Sequence, residues 1–255
     1  MPVAVNVGTR IHYEVTGAGP VVVLMHGIGD TGEIWRQLGA VDRLAAHFTV
    51  VTIDLRGLGR SDMPSEPAAY TRDVRRDDTI AVLDAIEAQR AHLVGYSLGG
   101  RNAFYVASHQ PDRIASVVAG GANPFPTRLN FELAGHLAQM ADRPPKYVRA
   151  YLRLRRKLIG PSRPEQVERL TRAANSIAGD FDVDAAVQAM KMPVYLFTGE
   201  FDQRFAVELT SDFAGRLDDC RLEIVPGENH GMLPRMQPML PKIEQFLLGV
   251  STPAT

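Results

Sequence analysis

The sequence is short of several things, and each shortage closes off a class of explanation. A single cysteine, Cys220, stands among 255 residues. No disulfide can form within the chain, and such sparing use of cysteine fits a reducing compartment. The formal net charge is −1, which gives no global pull toward nucleic acid or an anionic membrane. Apolar runs such as Val21 to Met25 are brief, far below the roughly 20 residues that a membrane-spanning helix needs. Met1 to Val7 lacks the basic start and apolar core of a signal peptide. There is no internal repeat, no low-complexity tract, no Cys/His cluster at zinc spacing and no Walker loop. Gly8, Gly17 and Gly19 do not complete a Gly-x-Gly-x-x-Gly turn after a first strand. The expectation is a cytoplasmic globular protein that takes a small-molecule substrate and needs no metal or cofactor. Its oligomeric state is left open.

What is present is a rhythm. Val3 to Val7 and Ile11 to Val15 alternate apolar and polar residues, as two strands of a half-exposed hairpin do. Val21 to Met25 is instead continuously apolar and β-branched, the mark of a strand buried on both faces. Similar runs recur at Phe48 to Ile53, His92 to Val94, Ile114 to Ala119, Val194 to Phe197 and Leu222 to Val225. Helical spacing separates most of them, over Thr31 to Ala46, Asp73 to Gln89 and Arg101 to Ala107, with a last helix over Leu233 to Val250. Strands alternating with helices predict an α/β fold, a mostly parallel sheet with helices on both faces.

Residues 123–190 interrupt that rhythm. Prolines at 124, 126, 144, 145, 161 and 164 punctuate amphipathic pieces over Leu129 to Met140, Lys146 to Leu158 and Glu165 to Ile177. The division expected is a core of residues 1–122 and 191–255 with a helical lid at 123–190. Ten basic residues between Arg143 and Arg172 read as a solvated outer face, one cation turned inward toward a substrate carboxylate being the sharper alternative.

The chemistry gathers around Gly95-Tyr96-Ser97-Leu98-Gly99-Gly100, a serine between a strand and a helix with a glycine two residues to either side. A nucleophile there sits in a strained turn, and the helix start behind it offers free N–H groups, that of Leu98 first, to a developing oxyanion. The base expected is His230, in the turn-rich loop after the last strand. The acid follows the strand before it: Asp202 is preferred and Glu200 is the rival, while either could instead cap the helix that starts near Phe205. The second oxyanion donor is expected at Ile28, in the turn His26-Gly27-Ile28-Gly29-Asp30. His26 reads as a structural residue that braces this loop, and His12, His47 and His109 as surface or packing residues. Gly27, Tyr96 and, within the lid, His136 are candidate substrate contacts.

These motifs, with Asp54-Leu55-Arg56-Gly57-Leu58-Gly59-Arg60-Ser61-Asp62 and Gly199-x-x-Asp202, resemble the α/β-hydrolase superfamily over about residues 1–122 and 191–250. The resemblance implies an eight-stranded sheet, a Ser97–Asp202–His230 triad and an oxyanion hole from Ile28 and Leu98. It is similar in particular to small serine esterases and lactonases of the 3-oxoadipate enol-lactonase type. An ester or lactone hydrolase working through an acyl-enzyme is therefore expected. Cleavage of a C–C bond beside a ketone, or a ligand receptor on the same fold, are the alternatives. Dehalogenases and epoxide hydrolases would carry aspartate where Ser97 stands. Asp54 and Arg56 read as structural ties of the loop after their strand.

Overall fold

The computed structural model describes residues 2–125 and 181–251. Eight strands form one sheet: β1 (Val3–Asn6), β2 (Thr9–Thr16), β3 (Val21–Met25), β4 (Thr49–Ile53), β5 (Ala91–Tyr96), β6 (Ile114–Gly120), β7 (Val194–Gly199) and β8 (Cys220–Val225), in the order β1-β2-β4-β3-β5-β6-β7-β8. The β1–β2 and β2–β4 pairs are antiparallel and all the others parallel. Strand β8 departs from expectation: it is only partly buried, and among the described residues no strand pairs with its outer side.

The strand residues alternate between two apolar layers. Val23, Met25, Leu93 and Leu196 pack with Leu83, Phe104 and Phe213 on one face. Val22, Leu24, Val94 and Phe197 pack with Trp35, Leu44 and Leu247 on the other. The first layer is covered by α3 (Arg72–Ala85), α4 (Leu98–His109), α5 (Val183–Ala189) and α6 (Val207–Arg216). The second is covered by α1 (Glu33–Gln37), α2 (Ala40–Leu44) and α7 (Leu240–Ser251). Thr71 starts α3 by accepting the N–H of Val74, and Asp182 starts α5 by accepting that of Ala185 at 2.9 Å.

Two helices differ from the periodicity. The single helix expected over Thr31 to Ala46 is split into α1 and α2 by Gly39, whose φ of +76° is left-handed and cannot continue a helix. The last helix begins at Leu240, after short 3-10 turns at His230–Arg235 and Gln237–Met239. Pro234 and Pro238 fall in those turns and supply no N–H to an α-helical ladder. Of the lid, residues 126–180 lie outside the described part, and with them His136 and the basic cluster. Its last stretch contains α5, which packs against α4.

Register decides where the chemistry can gather. Met25 pairs with Gly95, Gly95 with Ala119, Gly120 with Phe197, and Gly199 with Val225. The carboxyl ends of β3, β5, β6, β7 and β8 thus stop side by side, and their loops issue onto one edge. Strand β3 lies between β4 and β5, so the chain leaves it first to one side and then to the other. That switch point opens the crevice in which such sheets hold ligands.

Candidate active site

The turn after β5 is closely packed on both sides. Ser97 has φ +53° and ψ −111°, a conformation that costs a non-glycine residue on the order of 1–3 kcal/mol. Its neighbours dictate it. A Cβ on Gly95 would fall 2.4 Å from the carbonyl carbon of Gly99, and one on Gly99 would fall 2.2 Å from the carbonyl oxygen of Met25. Only glycine lets strand, turn and helix approach so closely. The Ser97 N–H donates to the Gly120 carbonyl at 2.8 Å, which ties the turn to β6. No side chain caps the start of α4.

His230 reaches this serine from the loop after β8. Its Nε2 is 3.0 Å from Ser97 Oγ, and its Nδ1 is 2.9 Å from Asp202 Oδ2. A carboxylate can only accept, so Nδ1 carries the hydrogen and Nε2 is left with a lone pair facing the serine hydroxyl. The ring lies between Tyr96 and Phe205, at centroid distances of 5.7 and 5.4 Å. The Tyr96 hydroxyl also donates to the His230 carbonyl at 2.7 Å. Tyr96, a candidate substrate contact, is thus buried beneath the base, and burial raises its hydroxyl pKa well above the ordinary value.

Asp202 divides its two oxygens between two tasks. Oδ2 receives His230, while Oδ1 receives the backbone N–H groups of Arg204 and Phe205 at 2.9 and 3.0 Å. It is not the cap of α6, which begins at Val207 behind Ala206. Burial by itself would raise the Asp202 pKa. The hydrogen bond and charge of His230, with those two N–H groups, outweigh it and hold the carboxyl below its ordinary value. Its rival Glu200 points elsewhere, accepting the Gly227 N–H at 2.9 Å in the loop that delivers His230.

The loop after β3 closes over the serine. A Cβ on Gly27 would stand 3.5 Å from that of Ser97. Gly27 to Asp30 form a β-turn, with the Asp30 N–H on the Gly27 carbonyl and Gly29 at φ +81°. Among the described residues, neither the Ile28 nor the Leu98 N–H is taken by a backbone carbonyl. His26 braces the turn from beneath. It accepts the Leu55 N–H at Nε2 (3.0 Å) and donates from Nδ1 to the Gly27 carbonyl (2.8 Å), and burial lowers its pKa, so the ring stays neutral.

The loop after β4 uses its polar residues to tie itself to neighbouring elements. Asp54 accepts the N–H groups of Gly32 (2.7 Å) and Arg60 (2.9 Å) and contacts His12 Nδ1 at 3.1 Å. Arg56 is buried against Asp78 and Thr9. His12 is a packing residue here, buried in the sheet. Among the described residues no group of three or more His, Cys, Asp or Glu side chains could hold a metal ion. No helix there is long and apolar enough to cross a membrane.

Known proteins share this arrangement of the chain. Residues 20–143 match the alpha/beta hydrolase fold family. A putative carbamate hydrolase, RutD of Caulobacter vibrioides, is 30% identical over 245 residues, covering 87% of this chain and 88% of that protein. The chain belongs to the α/β-hydrolase family. An epoxide hydrolase of Caballeronia sordidicola is 38% identical to this α/β-hydrolase over 122 residues, which are 48% of this chain and 36% of that protein. The enol-lactonase of Burkholderia xenovorans LB400 has the same fold, with a TM-score of 0.78 at 21% identity over 97% of this chain and 100% of its own.

Sequence reasoning did not single out Phe205, the second ring against His230. An aromatic three residues after a candidate acid carries no periodic signal, and only the folded loop gives it a role.

Proposed function

We propose that this α/β-hydrolase is a serine hydrolase that cleaves an ester or lactone of a small organic substrate through an acyl-enzyme. The reading rests on one observation: the unbroken line of hydrogen bonds from Ser97 through His230 to Asp202. In this mechanism the lone pair on His230 Nε2 takes the Ser97 proton as Oγ attacks the carbonyl carbon. Asp202 stabilises the imidazolium that forms and fixes its tautomer. The carbonyl oxygen becomes an oxyanion, met by the N–H groups of Leu98 and Ile28. As the C–O bond to the leaving group breaks, His230 returns the proton to the departing oxygen. Water, activated by the same imidazole, then releases the acid and regenerates Ser97.

A carbamate presents the same carbonyl with a heteroatom leaving group, and a 30%-identical relative carries that name. An aryl carbamate therefore belongs beside aryl esters, lactones and a vinylogous diketone in the substrate panel. The direct test is covalent labelling with a fluorophosphonate, followed by peptide mapping. One label per chain on Ser97, with ester or lactone turnover, is the expected result. No label and no turnover across the panel would leave a receptor on the same fold, and turnover of the diketone alone would assign the C–C bond chemistry.

A further inference from the structure

Between α3 and α4, beginning at the residue that follows the nucleophile, lies a small cleft that opens to solvent. Arg72 and Arg75 of α3 and Arg101 of α4 line it, with Leu98, Tyr105 and Phe181 completing the walls. Arg72 is engaged, its guanidinium standing 5.8 Å over the Phe181 ring among its contacts. The carboxylates near the other two arginines have hydrogen-bonding partners of their own. Asp78 receives Arg56 Nε and the Asn6 amide, each at 2.8 Å. Asp73 receives Arg76 and the Tyr105 hydroxyl, each also at 2.8 Å.

Arg75 is 7% exposed, and among the described residues its enclosed Nη1 has no hydrogen-bond partner. Among the described residues neither Arg75 nor Arg101 forms an ion pair. Burial lowers both to about 10, a fall that the charge of Asp78 partly offsets at Arg75 and that of Arg72 reinforces at Arg101. Both remain cations at neutral pH. A buried guanidinium whose hydrogen bonds are not all met is costly, and its planar fork is matched to a carboxylate.

We infer that this cleft is the subsite for a free carboxylate on the substrate, received by Arg75 and Arg101, and that the preferred substrates are acidic esters or lactones. The inference rests on the hydrolase reading above and names the substrate class for that site. Leu98, the residue after the nucleophile, is in the cleft wall. Arg101 lies one helical turn beyond Ser97, about 6 Å along the helix axis. A carboxylate a few carbons from the scissile carbonyl fits that offset. Leu98 offers the intervening carbons an apolar contact, and the rings of Tyr105 and Phe181, 5.9 Å apart, line the cleft beyond Arg101.

The test compares p-nitrophenyl hydrogen glutarate with its neutral methyl ester, in which a methyl group caps the free carboxylate, and follows release of p-nitrophenolate from both. The wild-type protein should prefer the acid by about tenfold to hundredfold in kcat/KM, the weight of one charge-assisted contact. In Arg101→Gln and Arg75→Gln the ratio should fall to within about threefold of unity, mainly through KM. Circular dichroism checks that each variant is folded. Arg101 is only partly buried, so its variant carries the test if Arg75→Gln unfolds. Glutarate itself should inhibit competitively and bind Ser97→Ala protein in a calorimeter. A wild-type ratio near unity, a ratio untouched in the folded variants, or non-competitive glutarate would each overturn the subsite. If neither ester is turned over, the hydrolase reading is what fails. Glutarate binding to the wild-type protein that Arg101→Gln abolishes would then still support the anion site, and its absence in both proteins would end it.

Discussion

Two histidines in this sheet meet serine hydroxyls at almost the same distance, and only one pair is arranged for chemistry. His92, near the amino end of β5, contacts Ser116 Oγ at 2.8 Å and Ser251 Oγ at 3.0 Å. His230 contacts Ser97 Oγ at 3.0 Å at the carboxyl end of the same strand. The first pair is closed. Both ring nitrogens are used, Ser116 lies within strand β6 at negative φ, where the pairing with β5 shifts register, and no carboxylate of the described residues bonds the ring. The second has what the first lacks: a carboxylate on the far nitrogen, a serine lifted out of regular backbone, and a helix start with unclaimed N–H groups. A serine beside a histidine is therefore weak information by itself. The carboxylate and the strained turn separate a reactive pair from a structural one.

The comparison breaks most visibly at the serines. Ser97→Ala should cut turnover by about 10⁴ to 10⁶ while leaving the melting temperature nearly unchanged. Ser116→Ala should do the opposite. It leaves a buried imidazole short of a partner, at about 1–3 kcal/mol of stability, with turnover per folded molecule within a few-fold of wild type. Steady-state rates and urea titrations on the two variants decide it, and a large rate loss at Ser116 would erase the distinction drawn here.

The carboxylate sharpens it. Asp202→Asn should lower turnover by about 10³ to 10⁴, since an amide can donate to Nδ1 and so favours the wrong tautomer. Glu200→Gln, two residues away, should change it by less than about tenfold, because its contact is to the Gly227 backbone. Equal losses in the two variants would reassign the acid.

How much of this could be read from the chain differs from residue to residue. The six apolar runs and the alternating hairpin correspond to the eight strands: burial on both faces leaves few residue types free in β3 to β7, while β8 is legible from its β-branched residues despite its partial exposure. The glycines around Ser97 were legible for a similar reason: contacts of 2.2 to 2.4 Å to a Cβ permit no other residue. Choosing Asp202 over Glu200 was harder. Both stand in the same loop, and the choice follows from the pairing of Gly199 with Val225, which sets the height at which His230 arrives. The break at Gly39 was illegible, since a glycine within helical spacing is often tolerated and its left-handed φ is a property of the folded turn. The cleft arginines carried no motif at all. Arg75 looked like any charged residue on a helix, and only its enclosed Nη1, without a partner among the described residues, sets it apart.

The smallest effect lies at the closed pair, and it is read in pH. Burial, with a lesser contribution from Arg90, lowers the His92 pKa from 6.5 to about 4. In the unfolded chain this histidine returns to its ordinary value. Between pH 6.5 and 4 the unfolded state therefore holds a proton that the folded state refuses. Stability must rise with pH across that window and fall as the solution is acidified through it. The loss from this one group should approach about 3 kcal/mol near pH 4, as an order of magnitude, and level off below it. His92→Gln keeps an amide able to bond both serine hydroxyls and carries no titrating proton. It should be less stable than wild type at pH 7 and lose less on acidification. Urea midpoints for both proteins at pH 7, 5.5 and 4.5 isolate the effect, because every other carboxylate and histidine titrates in both. A stability difference that stays constant over those three values would mean that His92 accepts its proton in the folded state, and that the closed pair is open to water after all.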